Sequence, residues 1–171
     1  MNTPRSASQT IGPFFEFALP WRDGPHAVAP GTPGAFWIEG RLLDGDDAPI
    51  SDGMIETWQV GPPGARGFAR APTDGQGRYA ILTLKPASVR GDDGLVHAPH
   101  LAVSVFARGL LRRAVTRIYF ADETAGNADD PTLKSIADDA ARATLLAVRA
   151  DRGYRFDILM QGACPTVFFD V

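Results

Sequence analysis

His97, His100 and Arg117 are the residues whose chemistry and setting stand out in this chain. His100 opens the strand-like run His100-Leu101-Ala102-Val103-Ser104-Val105-Phe106, and with side chains alternating at period two the next residue on its face is Ala102. A second histidine there would make a compact pair of metal ligands. Alanine offers no donor, so a site that looks laid out for metal chemistry lacks half its ligands. A metal site takes three or four donors, and the sequence supplies no obvious third or fourth, so the simpler reading of His97 and His100 is a hydrogen-bonded loop or strand-entry histidine.

Arg117 lies in Thr116-Arg117-Ile118-Tyr119-Phe120, an apolar and aromatic strand-like setting. Two readings stand side by side. A charge there is paired with a carboxylate on a neighbouring strand or held at an edge, or its planar fork recognises an anionic ligand.

Other motifs dissolve on inspection. The acidic run from Asp44 to Gly53 has Pro49 where a calcium loop needs glycine and lacks its bidentate Glu, so it reads as a hairpin turn. Gly75-Gln76-Gly77 lacks the third glycine of a dinucleotide loop and reads as a tight turn opening a strand. Ser104 has no histidine and acid placed around it by sequence, and Cys164 beside Pro165 reads as a passive small residue. Arg108, Arg112 and Arg113 read as a solvated hairpin.

The elements that must position these residues are short strands. Candidates fall at 36–43, 54–60, 78–84, 101–107, 114–120, 144–150, 154–160 and 167–169, separated by Asp-Gly and Gly-rich turn signals. One helix is expected over 130–143, with Pro131 in its first turn and Leu133, Ile136 and Ala140 on one face. The fold class is therefore all-β: an antiparallel β-sandwich with one short helix. Residues 1–34 are rich in breakers yet carry Phe14, Phe15, Phe17, Leu19 and Trp21, so they read as an extended N-terminal arm that packs on a partner subunit, with the sandwich domain at 35–171.

At 171 residues the chain can bury roughly two thirds of the surface its unfolded form exposes. With 17 Lys and Arg against 20 Asp and Glu, nucleic acid is not an expected partner. No apolar run suggests a membrane span. A lone Cys164 and the lack of a charged-then-apolar leader predict a reducing, cytoplasmic home.

Three segments taken together carry a resemblance: Ser8-Gln9-Thr10-Ile11-Gly12-Pro13-Phe14-Phe15, Ala98-Pro99-His100-Leu101 through Ala107-Arg108-Gly109, and Thr116-Arg117-Ile118-Tyr119-Phe120. Tyr154-Arg155-Phe156-Asp157-Ile158 and Thr166-Val167-Phe168-Phe169-Asp170 add to it. The chain resembles, from Ser8 to Asp170, the alpha chains of the intradiol ring-cleavage dioxygenase family. In that family a related beta chain carries ferric iron on two tyrosines and two histidines, and phenolates are hard anionic donors suited to Fe(III). The family's ligand histidines correspond here to His100 and Ala102. One ligand tyrosine falls near Arg66, counting from Trp58, and the stretch 85–99 that should hold the other contains no tyrosine.

The resemblance implies an alpha subunit of a two-chain enzyme acting on protocatechuate and O2 to give 3-carboxy-cis,cis-muconate. It implies Fe(III) bound by a homologous beta subunit and not by this chain, which is expected to be inactive alone. It places Thr10, Gly12, Pro13 and Phe14 of the arm and Arg117 of the strand near the bound aromatic acid, with no catalytic group or metal ligand in this chain. Phe14 stands where members often carry tyrosine, so that hydroxyl's hydrogen bond is missing. The residues by themselves leave open a non-enzymatic β-sandwich binding or scaffold module.

Overall fold

The computed structural model describes residues 7, 10, 18–61, 66–91 and 94–170. Its strands are β1 (Phe36–Leu43), β2 (Met54–Val60), β3 (Arg66–Pro72), β4 (Arg78–Thr83), β5 (Val89–Arg90), β6 (Val96–His97), β7 (His100–Phe106), β8 (Ala114–Phe120), β9 (Leu146–Ala150), β10 (Gly153–Arg155) and β11 (Ile158–Leu159). Three short helices, α1 (Thr124–Asp129), α2 (Pro131–Ser135) and α3 (Asp139–Ala143), lie between β8 and β9. The main sheet runs β11-β1-β10-β9-β8-β7-β2-β3, with β4 on β1, and β5 with β6 makes a separate ribbon. Antiparallel pairing dominates, while β1 runs parallel to β10 and β11, and β8 parallel to β9. The sheet curls until β4 comes back against β3 and nearly closes.

Period-two alternation builds the core. On β2, Ile55, Thr57 and Gln59 point inward while Trp58 and Val60 face out, and on β8 Thr116, Ile118 and Phe120 point inward. They meet Ile38, Leu42, Ile81, Val103, Val105 and Ile158 between the two walls. A second, smaller core forms outside β8, where Tyr119 packs with Ala98, Leu133 and Leu145. The helices therefore cover the outer face of β8, the wall that carries Arg117.

Turn chemistry follows the sequence. Asp44 Oδ1 accepts from the Asp46 and Ala48 amides, and Asp74 Oδ1 accepts from those of Gln76 and Arg78, each carboxylate closing its own hairpin. At the β5–β6 ribbon, Gly91 N donates to Leu95 O and Gly94 N to Gly91 O.

Several expected boundaries shift for identifiable reasons. The single helix over 130–143 is broken, because Asp130 caps α2 through Leu133 N and Asp138 caps α3 through Ala140 N, each restarting the chain after an extended residue. Ala140 is exposed rather than on the buried face. Strand 144–150 starts only at Leu146, since Thr144 is the C-cap of α3. The strand at 154–160 splits in two where the Asp157 carboxylate, instead of a backbone carbonyl, accepts the Arg41 amide. Residues 167–169 form no strand but are tied to β8 and α3, with Phe169 N donating to Val115 O and Val167 N to Thr144 Oγ1. Sequence reading missed β3, whose alternate residues Gly67, Ala69 and Ala71 give almost no hydropathy signal.

Of the arm, Gly12, Pro13 and Phe14 lie outside the described residues. Thr10 Oγ1 accepts from Gly109 N at 3.1 Å, in the connection between β7 and β8. Further along, the Trp21 ring stacks on Phe68, and the Arg70 guanidinium lies over Trp21 while donating to Leu19 O. This part of the 1–34 segment thus packs on the chain's own β3. Among the described residues no helix is long and apolar enough to cross a membrane.

Candidate functional site

The β7–β8 register sets the site. Ala102 pairs with Arg117 and His100 with Tyr119, while across β2 Trp58 pairs with Ala102. Period two then puts Trp58, Ala102 and Arg117 in one row on the outer wall, with His100 and Tyr119 in the next. Ala102 is exposed and Trp58 is 54% exposed, so the row is open at its centre.

Arg117 is half-buried beneath the helical cover. Its Nη1 donates to Thr132 Oγ1 at 3.0 Å and Tyr119 Oη at 3.1 Å, and lies 3.2 Å from His97 Nδ1. The ring of Phe169 lies 6.0 Å from its Cζ. Among the described residues no carboxylate comes within ion-pair distance of this guanidinium; Asp130 reaches it through the Tyr119 hydroxyl. Nε and Nη2, the two nitrogens of the side-on fork, make no hydrogen bond among the described residues.

His100 Nδ1 sits 2.7 Å from Ala98 O. A carbonyl only accepts, so Nδ1 carries the proton and Nε2 is left with a lone pair. Burial pushes the imidazole below its ordinary pKa of 6.5, and the Arg117 and His97 side chains push the same way against the Ala98 hydrogen bond. The folded state therefore prefers neutral His100. Because the folded pKa is lowered, this stabilisation is present above about pH 6.5 and is lost as pH falls through the folded value. Thermal unfolding is expected to show a lower Tm at about pH 5.5 than at about pH 7.5, and His100→Gln to flatten part of that slope. An unchanged slope in the variant would contradict this assignment.

Asp130, which sequence reading passed over, is fully buried behind Arg117. Its Oδ1 accepts from Tyr119 Oη at 3.1 Å and Leu133 N at 2.9 Å, and its Oδ2 accepts from Ala98 N at 2.8 Å. Burial holds the Tyr119 phenol above its ordinary pKa, against the pull of Arg117, so the hydroxyl remains a donor. The one available signal was Asp130 directly before Pro131, a helix-start pattern that says nothing of burial.

The donor set at His100 does not fit ferric iron. Ala102 offers no ligand, the Tyr119 hydroxyl is engaged by Arg117 and Asp130, and a guanidinium stands beside the position. No three or more His, Cys, Asp or Glu side chains gather for a metal among the described residues. A cleft of about 790 Å³ on the outer face of β1 and β4 is lined by Trp37, Arg41, Arg78 and Asp157, away from this row. Asp157 there is engaged by Arg155 and the Arg41 amide.

This fold recurs in solved ring-cleaving enzymes. Catechol 1,2-dioxygenase from Pseudomonas arvilla C-1 matches with a TM-score of 0.57 at 18% identity, covering 81% of this chain and 56% of that one. Hydroxyquinol 1,2-dioxygenase from Pseudomonas putida DLL-E4 matches with a TM-score of 0.57 at 21% identity, covering 95% and 68%. These likenesses show the fold, which is that of the intradiol ring-cleavage dioxygenases. No protein-family model matches the chain. The protocatechuate 3,4-dioxygenase alpha chain of Burkholderia cepacia is 40% identical over 98% of both chains, and that of Pseudomonas putida is 34% identical over 98% of this chain and 96% of its own length. The chain belongs to the family of protocatechuate 3,4-dioxygenase alpha chains. The Burkholderia cepacia beta chain is also similar, at 27% identity over 75% of this chain and 65% of its own length.

Proposed function

We propose that this chain is the iron-free half of a two-chain protocatechuate 3,4-dioxygenase, in which a homologous beta subunit binds Fe(III) and this chain supplies the cation that receives the substrate carboxylate. The reaction adds both atoms of O2 to protocatechuate, breaking the bond between its hydroxyl-bearing carbons to give 3-carboxy-cis,cis-muconate. A ferric ion held by the partner subunit would supply Lewis acidity to the reaction. The part of this chain is to bind and orient.

The observation that carries the reading is Arg117: a half-buried cation on β8, anchored among the described residues through Nη1 alone, with the Nε/Nη2 fork unengaged among them. Such a fork matches a carboxylate in two parallel hydrogen bonds. From the arm 1–34, Thr10, Gly12, Pro13 and Phe14 are assigned to line the aromatic ring in the assembled enzyme, with Gly12-Pro13 allowing close backbone approach and Phe14 offering no hydroxyl. The lone cysteine and acidic balance suit cytoplasmic degradation of aromatic acids.

Metal analysis tests the division of labour. The chain purified alone is expected to hold no stoichiometric iron, and its complex with a homologous chain bearing a His-x-His pair to hold it. Stoichiometric iron in the chain alone would contradict the assignment.

A further inference from the structure

We propose that Asp130 is a positioning residue for the Arg117 guanidinium, holding all three partners of its Nη1 and so fixing the edge it offers to a ring carboxylate. The inference rests on the reading of Arg117 as the carboxylate receiver and adds the group that aims it.

Each Nη1 partner comes from a different element, and each is tied to this one carboxylate. The β8 partner is Tyr119, whose hydroxyl donates to Asp130 Oδ1 and therefore turns a lone pair toward Nη1. The β6 partner is His97, whose chain neighbour Ala98 donates its amide to Asp130 Oδ2, with His97 Nδ1 itself 3.8 Å from that oxygen. The α2 partner is Thr132, in the first turn of the helix that Asp130 caps through Leu133 N. With both Nη1 hydrogens taken by Thr132 and Tyr119, His97 beside them and the group planar, Nε and Nη2 have a single orientation left.

Capping alone would not call for this residue. Serine, threonine or asparagine caps a helix comparably without burying a charge, and a fully buried carboxylate that no Lys or Arg among the described residues contacts as an ion pair is expensive to keep. Three donors, Tyr119 Oη, Leu133 N and Ala98 N, are what make it tolerable; the first is itself a partner of Arg117 Nη1, and the other two belong to the chain neighbours of Thr132 and His97.

The test is steady-state kinetics of the assembled two-chain enzyme with protocatechuate and with catechol, which lacks the carboxylate. Tyr119→Phe keeps the ring and removes the hydroxyl link, whereas Asp130→Asn keeps the cap but turns an NH2 toward the Ala98 amide. Tyr119→Phe is expected to raise the protocatechuate KM about tenfold, with kcat and the catechol parameters within about twofold of wild type. Asp130→Asn is expected to do the same or more, and if it fails to assemble, Tyr119→Phe decides alone. An unchanged protocatechuate KM in Tyr119→Phe, or an equal loss on both substrates, would overturn the positioning role. Arg117→Ala separates the two readings. If it raises the protocatechuate KM while Tyr119→Phe does not, only the positioning role fails; if it changes nothing, the carboxylate reading fails and takes the positioning role with it.

Discussion

Arg117→Ala in the assembled enzyme is expected to raise the KM for protocatechuate on the order of a hundredfold while leaving the iron content unchanged. The size follows from the setting. A carboxylate received by a half-buried guanidinium is removed from water, and truncating one side of such a pair costs about 2–5 kcal/mol because the other charge is left unsatisfied. Lysine at this position keeps the charge but loses the fork, so Arg117→Lys should fall between wild type and alanine. Steady-state kinetics with protocatechuate checks both. A KM within twofold of wild type in Arg117→Ala would remove this residue from the site.

Gly40→Ala is expected to give the largest loss of stability of any single methyl addition considered. A Cβ at Gly40 would lie 1.7 Å from the Phe156 carbonyl oxygen and 2.7 Å from its carbon. That carbonyl cannot step aside, since it accepts from the buried Tyr79 hydroxyl at 2.6 Å while Phe156 N donates to Glu39 O. Relief requires moving β1 against the segment that joins β10 to β11, at the middle of the core, and losing buried hydrogen bonds there. A cost of about 3 kcal/mol or more is expected, on the order of a 10 °C fall in Tm for a chain of this size. Gly75→Ala is the control, because a Cβ there meets nothing within 4 Å and the backbone is not left-handed. Thermal unfolding of the two variants side by side is the measurement. Near-equal Tm values would show that the close approach at Gly40 does not hold in solution.

The parts of this architecture that were legible in the sequence are those where alternation and turn chemistry agree. β1, β2 and β8 have their expected bounds because apolar residues recur at period two, and Asp-Gly, Gly or Pro signals flank the first two. β3 was silent because small residues face its core, so packing rather than hydropathy makes it a strand. The helical region was misjudged for a local reason, two aspartates each able to restart a helix.

The site was legible in outline only. A cation inside an apolar strand marked Arg117, and the missing histidine marked Ala102, but nothing local could say that, among the described residues, Arg117 has hydroxyls and an imidazole rather than a carboxylate against its Nη1. That depends on the β7–β8 register and on how α2 packs over β8, which bring His97, Tyr119, Asp130 and Thr132 together from three elements. Asp130 carried only the flag of a helix start, since an aspartate before a proline is the commonplace beginning of a helix.

The most direct test of the account is protocatechuate-dependent O2 uptake, measured for this chain alone, for a homologous His-x-His chain alone, and for the two co-purified. The account predicts full uptake, with 3-carboxy-cis,cis-muconate as product, only for the co-purified pair. Uptake by this chain alone, or no gain when it joins its partner, would contradict it.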